Sequence, residues 1–82
     1  MLVYFSDGDR FINLDSFACL ASVYDTQKEA LNDEFTIVGK LKYNGEIMEL
    51  YKGTSKVCDR MIKDICEAYE RGDKVFRTKR YE

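Results

Sequence analysis

The residues best suited to chemistry in this sequence are cations near its C-terminus. Four of them fall within seven residues and are interleaved with two aromatic side chains: Lys74, Arg77, Lys79 and Arg80, with Phe76 and Tyr81. Lysine and arginine neutralise phosphate groups, so this spacing is suited to gripping a phosphate-bearing ligand. A short basic terminus can equally be a solvated tail, because chain ends commonly fray. The sequence leaves both interpretations open.

Three tyrosines form a second candidate group. Tyr4, Tyr24 and Tyr51 belong to strand-like segments, and we expect them on the sheet face away from the helix. Aromatic rings on an open sheet face can stack on bases or anchor another protein. An identical subunit would cover such a face equally well, because small one-helix sheets complete their cores by symmetric association. We therefore expect a homo-oligomer.

Catalytic residues are poorly represented. The chain has no histidine, so no histidine-based nucleophile, general base or metal site can be assembled. The acid pairs Asp7 with Asp9 and Asp33 with Glu34 lie in predicted loops, where the turn preferences of aspartate explain them. We expect a non-enzymatic protein without a metal or cofactor.

The three cysteines have neither zinc-ribbon nor disulfide-framework spacing. Cys58 and Cys66 are eight residues apart on a predicted helix, which separates them by about 12 Å along its axis and rules out a bond between them. We expect both to be reduced thiols in the core.

The composition indicates one globular domain. The chain has 82 residues, of which 45% are hydrophobic and 34% charged. The formal net charge is −2, but residues 1–53 hold nine acids and five bases, whereas residues 54–82 hold six acids and eight bases. No window approaches the ~20 apolar residues of a membrane span, and the N-terminal apolar run lacks a basic leader region. We expect a cytoplasmic protein with no membrane partner.

Residues 35–51 predict a β-hairpin around Asn44-Gly45. Asn-Gly is the strongest signal for a two-residue type I′ turn. Such a turn would place Lys40 opposite Glu49 and Val38 opposite Tyr51. Its core face would carry five residues: Phe35, Ile37, Leu41, Met48 and Leu50. A glycine inside the strand, Gly39, indicates a bulge or a close approach by another group, such as the helix.

The remaining segments complete an α+β prediction. From Thr54 onward the apolar period changes from 2 to 3.6, which predicts an amphipathic helix with Thr54 or Ser55 as N-cap and Gly72 at its C-terminus. Asp7-Gly8 predicts a hairpin between residues 2–5 and 10–14, and residues 17–24 read as a strand. Residues 26–33 are predicted to form at most one helical turn.

The predicted architecture is a four- or five-stranded antiparallel β-meander with one C-terminal amphipathic helix packed on one face. Within a single domain of residues 1–82, the meander spans 1–53, the helix 54–72 and a basic C-terminal segment 73–82. That last segment is either an edge strand or a frayed tail.

The order of these segments resembles that of small accessory proteins from phages and prophages of low-GC Gram-positive bacteria. The resemblance covers about residues 7–71 and is carried by Asp7-Gly8, Ile12-Asn13-Leu14-Asp15, a hydrophobic strand, Phe35-Thr36-Ile37-Val38-Gly39, Asn44-Gly45-Glu46 and a helix opened by Thr54 or Ser55. Proteins of that group share no agreed activity. The resemblance implies a compact protein that acts stoichiometrically, by binding a host or defence component or by sequestering a nucleotide signal.

Three functions stay open on the sequence. The first expectation is a non-enzymatic phage-type accessory protein that binds and inhibits a host or defence component. The alternatives are a protein that sequesters a phosphate-bearing nucleotide and a small nucleic-acid-binding module. The expected ligand- or partner-binding residues are Lys74, Arg77, Lys79, Arg80, Tyr4, Tyr24 and Tyr51.

Overall fold

A computed structural model describes residues 1–24 and 34–81 and shows an α+β fold. Its strands are β1 (Leu2–Phe5), β2 (Arg10–Asn13), β3 (Phe17–Tyr24), β4 (Phe35–Leu41), β5 (Ile47–Gly53) and β6 (Val75–Arg77), and its helix is α1 (Ser55–Arg71). Two 3₁₀ turns span Leu14–Ser16 and Lys79–Tyr81. The helical turn considered within residues 26–33 lies outside the described residues.

Within the described residues the strands form two three-stranded sheets, so the predicted α+β class is confirmed and the predicted single meander is matched only in part. One sheet has the order β2-β1-β6 and the other the order β3-β4-β5. The 3₁₀ turn Leu14–Ser16 separates β2 from β3. A hydrogen bond caps its start, because the side chain of Asn13 accepts from the backbone N–H of Asp15 at 3.0 Å. After α1 the chain returns to the first sheet, where β6 pairs parallel to β1. Two parallel strands need a long crossover connection, which here is the stretch of chain from β2 through α1.

The β4–β5 hairpin forms, but its predicted register is wrong. Gly45 has φ of 72°, whereas Asn44 is not in the left-handed region, so the turn is not type I′. Instead the N–H of Leu41 donates to the carbonyl of Glu46 at 2.9 Å and encloses a four-residue loop. The side chain of Asn44 accepts from the N–H of Glu46 at 2.9 Å and thereby stabilises this wider loop.

The wider loop moves every partner along the strands. Val38 lies opposite Glu49 rather than Tyr51, and a bulge then inserts Leu50, so that Tyr51 lies opposite Ile37. Lys40 lies opposite Ile47 and not opposite Glu49. The predicted core face is only partly altered, because Ile37 and Leu50 are both buried.

Gly39 is a point of close approach, as its place in the strand predicted, but the neighbour is Phe17 of β3 rather than the helix. A Cβ at Gly39 would lie 2.5 Å from Cδ1 of the Phe17 ring. We expect Gly39→Ala to lower the free energy of unfolding by about 1 to 3 kcal/mol, because the ring must leave its packed position. Urea denaturation measures this loss. Gly8→Ala is the matched control, since its added Cβ would meet nothing closer than 4.0 Å. Equal stability of the two variants would show that Phe17 does not pack on Gly39.

The helix lies where the sequence predicts it and joins both sheets into one core. The hydroxyl of Thr54 accepts from the N–H of Val57 at 3.2 Å, and Gly72 ends the helix with φ of 79°. Helix α1 packs against β3, β4 and β5. The core combines the buried helix face with residues of both sheets: Cys58, Met61, Ile65 and Ala68 with Val3, Phe5, Ile12, Phe17, Ile37, Leu50 and Phe76.

The cysteines divide differently from the prediction. Cys58 is fully buried, and its thiol donates to the carbonyl of Phe35 at 3.6 Å. Cys66 is exposed, so its assignment to the core is wrong, because it lies outside the stripe formed by Cys58, Met61 and Ile65. Cys19 is exposed as well, and within the described residues none of the three cysteines forms a disulfide bond.

Candidate functional site

The basic C-terminal segment forms an ordered edge strand, which decides between the two forms predicted for it. The N–H of Leu2 donates to the carbonyl of Lys74 at 2.9 Å, and the N–H of Thr78 donates to the carbonyl of Tyr4 at 3.0 Å. Side chains alternate along the strand, so Phe76 is buried while Val75 and Arg77 are exposed on the opposite face. Strand β6 therefore presents Arg77 on the outer face of the first sheet.

Arg77, Tyr4 and Phe11 form a row across that sheet. The pairing of β6, β1 and β2 places Arg77 beside Tyr4 and Tyr4 beside Phe11. The guanidinium carbon of Arg77 lies 5.7 Å from the centroid of the Tyr4 ring, and the Tyr4 and Phe11 centroids are 4.6 Å apart. Neighbouring strands are about 4.8 Å apart, so the row spans roughly 10 Å.

Two aliphatic residues complete this surface, which we call the aromatic face: Leu2, Tyr4, Phe11, Val75 and Arg77. Phe11 is 55% exposed, Leu2 43% and Val75 39%. Soluble proteins rarely expose several large apolar side chains in one patch. Where they do, the patch commonly marks a binding site. The aromatic face is thus a candidate recognition surface.

The β1–β2 loop holds the middle of the row, Tyr4, in place. The hydroxyl of Tyr4 donates a hydrogen bond to Oδ1 of Asp9. Asp9 itself has a left-handed backbone with φ of 46°, whereas neither Asp7 nor Gly8 has a positive φ, so the predicted hairpin forms through a four-residue loop rather than a tight Asp-Gly turn. The loop fixes the Tyr4 ring, which leaves Phe11 as the more accessible of the two aromatic rings.

A basic groove adjoins the aromatic face along β6. It has a volume of about 520 Å³ and is lined by Asp73, Val75, Phe76, Arg77, Lys79 and Arg80. Asp73 is the acidic residue of this lining. Its carboxylate lies 2.9 Å from Nη2 of Arg71 and forms an ion pair with that side chain. Arg77, Lys79 and Arg80 therefore supply three cations to one concave surface.

Aromatic side chains pack against one of the cations of the groove, Arg80. The guanidinium carbon of Arg80 lies 4.6 Å from the centroid of the Phe76 ring and 5.6 Å from that of Tyr81. Tyr81 donates a hydrogen bond to Oδ2 of Asp64 on the helix. Burial, and after it this hydrogen bond, raises the pKa of Tyr81. The hydroxyl therefore keeps its proton at neutral pH and ties the end of the chain to α1.

Tyr24 and Tyr51 lie away from this site, so their predicted place beside Tyr4 is wrong. Both belong to the second sheet, where Tyr24 packs edge-on against Phe35 with centroids 5.3 Å apart. Tyr51 lies opposite the fully buried Ile37 and packs against the core. The expectation of an open tyrosine face covered by a second subunit loses this premise.

Lys74 also lies apart from the basic groove. It is exposed and lines a separate cleft with Met1, Leu2 and Asn13 at the opposite end of β6. Of the seven residues predicted for the site, the structure gathers four: Tyr4, Arg77, Lys79 and Arg80.

Phe11 is the residue that sequence reasoning missed. A signal for it existed, because the predicted strands 2–5 and 10–14 flank a four-residue loop that places Tyr4 opposite Phe11. The alternation of β2, with Ile12 buried and Phe11 exposed, then assigns Phe11 to the outer face.

No protein-family model matches the chain, and comparison with curated proteins and with solved structures found no significant match. Within residues 1–24 and 34–81, no three histidine, cysteine or acidic side chains are grouped so that they could hold a metal ion. Helix α1, in the same described ranges, does not have the length and apolar character needed to cross a membrane.

Proposed function

We propose that this protein is a non-enzymatic binding protein that recognises a ligand carrying both a nucleobase and a phosphate group. Nucleotides and short single-stranded nucleic acids belong to this class. The observation that carries the proposal is the row formed by Arg77, Tyr4 and Phe11 on an exposed sheet face.

The aromatic residues supply the base-binding part. Exposed aromatic rings on a sheet stack on bases of any sequence, and each stacked base contributes about 1 to 3 kcal/mol. Phe11 offers the more accessible of the two rings in the row, and Leu2 and Val75 flank the row with apolar surface. A base on Phe11 would have its sugar and phosphate within reach of the groove, because Tyr4 alone separates Phe11 from Arg77.

The cations supply the phosphate-binding part. Arg77, Lys79 and Arg80 line the basic groove at the edge of the row. Arginine binds phosphate with two parallel hydrogen bonds, which adds geometric selectivity to the charge. The site thus joins a base-stacking surface and a phosphate-binding surface.

Substitution of Phe11 tests the stacking part. We expect Phe11→Leu to weaken binding of a fluorescein-labelled octathymidylate about 5- to 100-fold, because leucine keeps apolar area but has no π-face. Fluorescence anisotropy at 50 mM salt measures the affinity. Tyr43→Ala, which removes an exposed ring in the β4–β5 loop, is the control and should bind as the unchanged protein does. Unchanged affinity in Phe11→Leu would refute stacking at this position.

A second candidate is occlusion of a host or defence protein by the aromatic face. The exposed aliphatic residues Leu2 and Val75 favour it, because tyrosine and arginine ringed by apolar surface are also typical of protein interfaces. The Phe11→Leu variant separates the two candidates, since a protein interface tolerates the aliphatic replacement far better than a stacked base does.

The resemblance to phage accessory proteins supports a biological setting for either candidate. In that setting the protein acts stoichiometrically in the cytoplasm of an infected or lysogenic bacterium. Homo-oligomerisation remains a prediction, and light scattering at micromolar concentration tests it against the 9.6 kDa mass of one chain.

A further inference from the structure

A second concave surface lies between the helix and the start of β3, away from the aromatic face. It has a volume of about 270 Å³, and its apolar lining comes from both elements and the turn before β3: Leu14, Phe17, Leu20, Ile62, Ile65 and Tyr69. Taking ~30 Å³ for one water molecule in the liquid, this volume corresponds to about nine water molecules, which is the size of a small organic ligand. Its size and lining are those of a small-molecule site.

Lys42 and Asp15 are the charged residues of this lining. The Asp15 carboxylate lies 3.6 Å from the N-terminal amine of Met1, which offsets its negative charge. Lys42 is exposed, and its backbone is fixed at the cleft because its N–H donates to the carbonyl of Ser16 at 2.9 Å. An apolar cavity with a lysine at its mouth matches a ligand that has an apolar body and one negative end.

We propose that this cleft binds a small apolar carboxylate, with the hydrocarbon part against Phe17, Leu20 and Ile62 and the carboxylate at Lys42. A medium-chain fatty acid such as octanoate, with ten non-hydrogen atoms, is the probe that fits these features. The proposal is independent of the base-and-phosphate site, because the two surfaces share no residue.

The exposed thiols give a direct readout of occupancy. Cys19 and Cys66 line the cleft, whereas Cys58 is fully buried in the core. We expect octanoate at millimolar concentration to slow N-ethylmaleimide alkylation of Cys66 and Cys19 by at least about threefold, as followed by peptide mass spectrometry. Cys58 is the internal standard and should remain slow with and without octanoate.

Two comparisons test the carboxylate part. Octan-1-ol should protect the thiols much less than octanoate, and Lys42→Gln should weaken octanoate protection about tenfold in half-effective concentration. Lys63→Gln, which removes an exposed lysine of α1 outside the cleft, is the matched control and should leave protection unchanged. The proposal is overturned if octanoate does not protect, if octan-1-ol protects equally, or if Lys42→Gln and Lys63→Gln behave alike.

Discussion

Replacing Ile65 with alanine should lower the free energy of unfolding by about 2 to 5 kcal/mol, the usual loss for a buried isoleucine. Ile65 is 3% exposed and follows Met61 by one helical turn on the buried face of α1. This face packs with core residues of both sheets, so a cavity there lowers the stability of the whole domain. Since small domains are stable by about 5 to 15 kcal/mol, the variant should lose a large part of its stability.

Urea denaturation followed by circular dichroism measures this loss. Ile62→Ala is the matched control, because Ile62 is on the same helix but only half-buried, and we expect it to lose clearly less stability. A loss below ~0.5 kcal/mol in Ile65→Ala, which is typical of surface positions, would contradict the placement of this helix face in the core.

Removing two cations of the basic groove should have the largest effect on ligand binding. A hydrogen bond to a charged group contributes about 1.5 to 3 kcal/mol, so the double variant Arg77→Ala with Arg80→Ala should bind octathymidylate at least about 100-fold more weakly. The salt dependence of binding should also become shallower by about two phosphate contacts. Anisotropy titrations at several salt concentrations give both quantities.

The double variant should also lose a little stability, because Arg80 packs over Phe76 and Tyr81. We expect that loss to be about 0.5 to 1 kcal/mol, which leaves the protein folded in the titration. Lys56→Ala with Lys63→Ala is the control, since it removes the same charge from exposed positions on the helix. If the two double variants lose affinity to the same extent, net charge rather than the groove accounts for binding.

The signals for the helix ends predicted local structure correctly, whereas the turn types expected at Asp7-Gly8 and Asn44-Gly45 were wrong. Thr54 and Gly72 mark the ends of α1, because an N-cap hydroxyl and a left-handed glycine are chemical requirements of helix ends. Residue type and short-range period were sufficient for the helix ends. Arg77 and Tyr4 were also predicted as binding residues from their chemistry; the structure places them side by side, and their role in binding stays a prediction.

Long-range pairing was not accessible in the same way. The parallel pairing of β6 with β1 joins residues more than 70 positions apart, and no turn signal encodes it. The bulge at Leu50 also could not be read from alternation, because one inserted residue shifts every later partner without changing the sequence pattern. The β6–β1 pairing decides which aromatic ring meets the cations, and the bulge shifts the partner of Tyr51, so Tyr24 and Tyr51 were misplaced. Phe11 was missed for a different reason, because the local β1–β2 hairpin already indicated its place opposite Tyr4.

Titration of the ¹⁵N-labelled protein with unlabelled octathymidylate tests the central claim most directly. Each backbone amide reports whether the ligand is near it. The account predicts that the largest shift changes fall on β1, β2 and β6, centred on Tyr4, Phe11 and Arg77, while β4 and β5 change little. Changes centred on the second sheet, or no changes at millimolar oligonucleotide and 50 mM salt, would contradict base and phosphate recognition by the aromatic face.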